Sequence, residues 1–439
     1  MNAVSYGAVF VIYFWFMRKY QSHFYTTLLP SLFVLIEFKQ TIGFLGFPWP
    51  LLCHSQYANL GLIQIASITG CWGVTFLIVQ INETLAHLFE GGFRPKILPI
   101  AIMPIVLVGI YGLWGALSLA KKVPEGNIEA TIVQGSESTN VQWTNAFNRQ
   151  EIDEYTDLTI DELSRNIELN DSEEGKAINR LVIWPETAVP DAVRSRMSLT
   201  RILALASNYD ATFLVGCLTD GPGESKPLDL ATAWKTRDSY HEYNSIVAFE
   251  PDGKVVPVYS KFHLVPFGEV IPLSKLITKW FPEYPWGSED VSAGTGFHVA
   301  DTQVGKIGAV VCYESFFPQI FRGEVEKGAQ IMVLGSNTSW FGRSMASYQH
   351  ARFDVYRAVE NGIWFCRAAT TGVSSIIDPQ GHIIVETELF KARAVTARVG
   401  LRSGETLYTI LGDWLPGLCG IYFLVLMLGV FLLKENHSE

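Results

Sequence analysis

The chain has 439 residues, of which 49% are hydrophobic and 17% charged, and its formal net charge is −10. That charge excludes a nucleic-acid partner, whose phosphates demand a basic face, and the charged fraction lies below the quarter or so usual for soluble domains. The deficit is local. Residues 1–120 and 410–434 are apolar, 121–409 reads as a water-exposed domain, and 435–439 is a short tail.

Taken in chain order, membrane spans are expected at about 4–17, at about 24–38, and at 60–79, where Gln64, Ser67, Thr69 and several glycines weaken the pattern. A further span covers 97–120, 24 residues without a charge, long enough to cross a hydrocarbon core of about 30 Å as a helix. The last, 414–433, stops at Lys434. Four spans thus precede the water-exposed domain and one follows it. Arg18 and Lys19, Arg94 and Lys96, and Lys434 fall on one side if the spans alternate, and the excess of positive charge makes that side cytoplasmic. Residues 121–412 then lie outside the cytoplasm, and so does Met1. An outward start without a signal peptide leads to the expectation that further spans precede this chain.

Between the spans, buried strands are predicted at 130–133, 181–184, 212–217, 307–312 and 330–334, and helices at 146–167, 198–207, 318–327 and 345–360. Two hairpins are read from NSIVAFEPDGKVVPVYSK, turning at Pro251-Asp252-Gly253, and SSIIDPQGHIIVET, turning at Asp378-Pro379-Gln380-Gly381. Strands alternating with helices, plus hairpins, predict an α/β sandwich. The cysteines are Cys53, Cys71, Cys217, Cys312, Cys366 and Cys419. They are widely spaced and include no CxxC, which points to neither a zinc site nor a disulfide framework.

Three stretches carry chemistry-bearing side chains at strand ends. RLVIWPETAVP delivers Glu186 beside aromatic and apolar groups, a setting that suits a general base. In YSKFHLVPFGEVIP, Lys261 ends a hairpin strand and Glu269 follows; a positioned ammonium can stabilise an oxyanion or lower a thiol pKa. His263, between them, reads as structural. GAVVCYESFFP places Cys312 where a strand gives way to a loop and helix, and a helix N-terminus pushes a thiol toward thiolate. Each has a bland alternative: a surface glutamate, a solvated lysine, a buried apolar cysteine. Together, base, charge stabiliser and nucleophile are what covalent acyl transfer needs.

WPET at 184–187, YSKFHLVPFGE at 259–269 and CYE at 312–314 resemble the nitrilase (carbon-nitrogen hydrolase) superfamily, and within it the membrane-embedded apolipoprotein N-acyltransferase family. GFPW at 46–49, VQGSESTNVQW at 133–143, SNTSWFGRSMASYQHARF at 336–353 and RAVENGIWFCRAATTGVSSIIDPQG extend the resemblance over nearly the whole chain. One departure is Thr338, where the family usually has Asp. The resemblance implies a nitrilase-type αββα sandwich inserted between transmembrane helices, in a bacterial inner-membrane protein with its catalytic domain on the periplasmic side. It implies the last step of lipoprotein maturation: an acyl chain leaves a phospholipid, typically phosphatidylethanolamine, rests on the enzyme as a thioester, and moves to the α-amine of an S-diacylglyceryl cysteine. No metal or organic cofactor is implied. Glu186, Lys261 and Cys312 would be the catalytic triad, with Glu269, Tyr313, Glu314 and Trp143 in support. Trp280, Phe281 and Trp286, in a segment read as a lid, and Trp340 and Phe341 would meet lipid, as interfacial aromatics do. Two alternatives stay open at this point: a membrane-tethered amidase acting on a small amide, and an inactive membrane scaffold that keeps the fold.

Overall fold

The computed structural model describes residues 2–19, 27–91, 98–124, 126–136, 145–170, 178–221, 228, 242–271, 280 and 291–435. It forms two compact units, one of Val123–Ala358 with Gly362–Gly404, the other of Met1–Lys122, Val359–Asn361 and Glu405–Glu439.

The first unit is built on twelve strands: β1 (Ile128–Gln134), β2 (Asn179–Trp184), β3 (Ala211–Thr219), β4 (Tyr243–Phe249), β5 (Val255–Ser260), β6 (Val299–Thr302), β7 (Gly305–Val311), β8 (Ile331–Ser336), β9 (Phe365–Ala369), β10 (Ser375–Ile377), β11 (Ile383–Glu386) and β12 (Arg393–Val399). They form two six-stranded sheets, ordered β12-β1-β2-β3-β4-β5 and β11-β10-β9-β8-β7-β6. Each has a parallel centre, β1-β2-β3 in one and β7-β8-β9 in the other, flanked by antiparallel neighbours. Both faces of the central strands are covered, which is why these stretches read as unbroken apolar runs.

Side-chain alternation sorts the two faces. Leu181 and Ile183 join a core shared with Ala309, Val311 and Val333 of the other sheet. Their neighbours Val182 and Trp184 pack outward against Ile152 and Tyr155 of helix Asn145–Asn170 and Ile202 of helix Arg196–Tyr209. The Trp184 indole N–H donates to Thr159 Oγ1 at 3.0 Å, so its burial leaves no polar atom stranded. On the far side, helix Pro318–Glu326 covers the second sheet, with Phe321 edge-on to Phe365. Helix, sheet, sheet, helix is the resulting order of layers, the αββα sandwich expected from the sequence.

In the second unit the expected spans are only partly realised. Among the described residues one helix, Ala101–Leu119, is long and apolar enough by itself to cross a membrane. Helix Leu28–Gln40 has 13 residues, or about 20 Å of rise, and Ala3–Arg18 and Trp414–Gly429 are shorter apolar helices. The straight span expected at 60–79 is not present. Leu60–Thr69 and Trp72–Phe89 meet at 120°. Gly70 makes the break: its φ is +64°, and a Cβ there would lie 2.5 Å from the ring of Tyr408, so a side chain would be excluded twice. A hydropathy window averages over such a corner. Within this unit Glu37 is fully buried, yet satisfied: its carboxylate accepts the Leu52 N–H at 2.8 Å and the Thr75 hydroxyl at 2.6 Å.

Candidate active site

Three strand ends converge on one cavity. Glu186 stands two residues beyond β2, Lys261 immediately after β5, and Cys312 immediately after β7. The sequence reading ran β7 on through Cys312; instead the strand ends at Val311 and Cys312 opens a 3-10 turn to Phe316. Cys312 has a φ of +51°, Thr187, next to Glu186, +49°, and Phe267, two residues before Glu269, +63°. These are three of the five non-glycine residues with positive φ among those described, a conformation that costs on the order of 1–3 kcal/mol each and clusters where a site must be aimed. Gly216 of β3 makes room for the turn after β2, since a Cβ there would sit 2.1 Å from the Pro185 carbonyl oxygen.

Lys261 is 1% exposed and lies between two carboxylates. Its Nζ donates to Glu269 Oε1 at 2.6 Å and is 3.7 Å from Glu186 Oε1. Glu186 is held at both oxygens, Oε1 accepting from Asn244 Nδ2 at 2.7 Å and Oε2 from the Asn337 N–H at 2.6 Å. The second oxygen of Glu269 accepts the Val265 N–H at 2.9 Å. Glu314, fully buried, ties two strand ends together: Oε1 accepts the N–H groups of Phe262 and His263, which follow Lys261, and Oε2 accepts that of Val311, which precedes Cys312. The Cys312 thiol donates to the Asn337 carbonyl at 3.8 Å.

Electrostatics set the protonation states. Burial works to lower the Lys261 pKa, but Glu186 and Glu269 outweigh it and hold the ammonium well above its ordinary value. Burial, reinforced by Glu186, pushes the Cys312 thiol up to about 12, against the opposing pull of Lys261. The expectation that a helix N-terminus would favour the thiolate is therefore corrected: the helix begins only at Pro318, six residues on, and a helix end acts within its first turn. At neutral pH the sulfur is a thiol. Burial also raises Glu314 to about 7 although three N–H groups favour its charge, and lowers His263, with Lys261 adding to that effect. The His263 ring packs on Phe317 at 4.2 Å.

The cavity measures about 540 Å³, and its walls include the three strand-end groups with Tyr313, Phe316, Trp340, Phe341 and His350. Phe316 therefore faces the cavity, whereas Phe317 packs behind it against His263 and Tyr313. Trp340 is 79% exposed at the cavity and Trp280 71% exposed. Trp143, Phe281 and Trp286 lie outside the described residues. Thr338 is buried with its hydroxyl unpaired among the described residues, and Gly372 opposite it leaves room for no side chain. Residue-by-residue reading missed Asn244 and gave no role to Ser336, Asn337, His350 and Arg367; the motif SNTSWFG was the one signal touching Ser336 and Asn337. No group of three or more His, Cys, Asp or Glu among the described residues could hold a metal ion.

Residues 130–406 match the carbon-nitrogen hydrolase family, and residues 1–84 match the apolipoprotein N-acyltransferase N-terminal domain. The chain is 32% identical to the apolipoprotein N-acyltransferase of Geobacter metallireducens over 416 residues, covering 93% of this chain and 75% of that protein. It is 26% identical to that of Chlorobaculum tepidum over 424 residues, covering 93% and 77%. Among solved structures, the carbon-nitrogen hydrolase of Helicobacter pylori G27 is 17% identical, with a TM-score of 0.44, over 65% of this chain and 94% of that one.

Proposed function

Because the chain belongs to the carbon-nitrogen hydrolase family, in its apolipoprotein N-acyltransferase branch, we propose that the cavity of Glu186, Lys261 and Cys312 is where it acylates lipoproteins. The protein is a membrane-bound acyltransferase of lipoprotein maturation, taking acyl groups from a lipid and giving them to a lipoprotein. The observation that carries the assignment of the site is the convergence of a carboxylate, an ammonium and a thiol, each just beyond a different strand end, in the lining of one cavity.

Glu186 accepts the Cys312 proton as the sulfur attacks the ester carbonyl of a phospholipid, with phosphatidylethanolamine as the donor. The resulting oxyanion is stabilised by Lys261 Nζ. Collapse breaks the ester C–O bond, Glu186 returns the proton to the departing lysophospholipid oxygen, and the acyl group remains as a thioester. The α-amine of an S-diacylglyceryl cysteine then attacks that carbonyl and loses a proton to Glu186. Cys312 leaves as thiolate and is reprotonated from Glu186, leaving an amide. Glu269 fixes the Lys261 ammonium, Glu314 holds the two strand ends in register, and Tyr313 flanks the nucleophile. Trp340, Phe341 and Trp280 contact the acyl chains, and Phe281, Trp286 and Trp143 remain the candidates that the sequence named for lipid contact and support. The protein is multi-pass, with this unit on the extracytoplasmic side.

The test is transfer itself. Purified protein, mixed micelles of phosphatidylethanolamine and a synthetic diacylated lipopeptide should yield a triacylated product by mass spectrometry, and Cys312→Ala should yield none. Equal product from both proteins would remove Cys312 from the mechanism.

A further inference from the structure

Behind the nucleophile lies a second polar group of side chains that the steps above do not use. Ser336, the last residue of β8, is fully buried, and its Oγ is 3.6 Å from Cys312 Sγ. Arg367 of β9 is also fully buried. Its Nε donates to the Val373 carbonyl at 2.9 Å, Nη1 to Asp354 Oδ2 at 2.9 Å, and Nη2 to Ser336 Oγ at 3.5 Å. Asp354 comes from helix Met345–Asn361 and is fully buried; its Oδ1 has no hydrogen-bond partner among the described residues.

Proton counting fixes the direction of these bonds. A guanidinium has donors and no acceptor, so Ser336 Oγ must accept from Arg367. The hydroxyl has one proton, and the Arg367 contact leaves it free to point at the sulfur. The thiol's own proton points elsewhere, to the Asn337 carbonyl. The sulfur therefore accepts from Ser336 while it donates to the backbone. A buried Arg–carboxylate pair is a poor source of stability, since apolar residues of the same volume often do as well. Its placement two hydrogen bonds from the nucleophile, through Ser336, is what gives it a use.

We propose that Ser336 is a catalytic hydrogen-bond donor to the Cys312 sulfur, oriented by Arg367 and through it by Asp354. The proposal rests on the reading of Cys312 as the nucleophile. The sulfur carries negative charge twice per cycle, once as it loses its proton to attack and once as it leaves the thioester. A hydrogen bond to a charged acceptor is stronger than one to a neutral acceptor, so the Ser336 bond stabilises these states more than the resting thiol. Arg367 and Asp354 touch no reacting atom and act as positioning residues.

Three further titratable groups line the same cavity: Glu186 and Lys261 from beyond the ends of β2 and β5, and His350 from helix Met345–Asn361, whose Nε2 lies 3.1 Å from Ser315 Oγ. Glu186 pushes the thiol pKa up, and Lys261 and Ser336 draw it down. Removing the Ser336 hydroxyl alone isolates its share.

The experiment follows Cys312 alkylation by iodoacetamide from pH 7 to 11, and thioester formation from labelled phospholipid, in wild type, Ser336→Ala, Ser336→Thr and Arg367→Gln. Each protein is taken from the monodisperse fraction of a sizing column. In Ser336→Ala the alkylation profile should move to higher pH, and acylation should slow by about 10-fold to 100-fold with KM for phospholipid unchanged. Ser336→Thr, which keeps the hydroxyl, should restore both, and Arg367→Gln should lie between. Profiles and acylation rates in Ser336→Ala equal to wild type would overturn the Ser336 proposal and leave the Cys312 reading intact. A labelled adduct persisting in Cys312→Ala would overturn both.

Discussion

Glu186 acts on Cys312 in two opposed ways, and the two can be measured apart. Its charge holds the thiol proton on, yet in the proposed mechanism its carboxylate is the base that removes that proton during attack. In Glu186→Gln, passive alkylation of Cys312 by iodoacetamide at pH 8 should be faster than in wild type, because a charge opposing the thiolate is gone. Acyl transfer should fall by roughly 10²–10⁴-fold, the usual contribution of a positioned base. Both rates falling together would show that Glu186 merely supports the fold. Glu314 makes a pH prediction. Its folded pKa of about 7 is above the ordinary 4.5, so between those values the native state binds more protons than the unfolded chain. Its contribution to stability is therefore full below about pH 4.5 and is lost as pH rises through about 7. Asp354, raised by burial to about 6 with Arg367 opposing, acts in the same sense. Thermal unfolding in detergent between pH 5 and 8 should show a downward slope in wild type that is shallower in Glu314→Gln. That variant should also be less stable at every pH, because one amide oxygen cannot replace two carboxylate oxygens accepting three N–H groups.

At the scale of elements, the site depends on where strands stop. β2, β5 and β7 were legible because each is a short apolar run closed by a polar or turn residue, and the residues after them were legible as site candidates for the same reason. What the runs could not reveal is register. Asn244 meets Glu186 only because β3 pairs with β4 and β2 with β3, and Arg367 reaches Ser336 only because β8 pairs with β9. Neither relation has a local signature. The corner at Gly70 was illegible for a related reason: apolarity is the same on both sides of a bend. Gly216 offers a test of how tightly the strand ends are set. Gly216→Ala places a methyl group against the Pro185 carbonyl and should cost about 1–3 kcal/mol of stability, read as a lower Tm. Because the displaced turn carries Glu186, acyl transfer by the folded protein should fall as well. A variant with lower Tm but unchanged transfer by the folded fraction would show that the turn relaxes without moving the base.

For the molecule as a whole, the apolar helices and the cavity answer one physical demand. Both proposed substrates carry long acyl chains, and each buried CH₂ is worth about 0.8 kcal/mol, so a water-borne enzyme would bear a large cost in extracting them. A membrane-bound acyltransferase avoids it, and in the proposed mechanism the chain rests in the cavity beside Cys312, with Phe316, Trp340 and Phe341 in its walls. The central claim is that the chain rests there covalently. Incubating purified protein with phosphatidylethanolamine labelled in its acyl chains, without acceptor, and digesting it for mass spectrometry tests this directly. The account predicts one acyl group on the peptide containing Cys312, released by neutral hydroxylamine and chased into product by a diacylated lipopeptide. No adduct on that peptide, in a preparation that still acylates the lipopeptide, would contradict it.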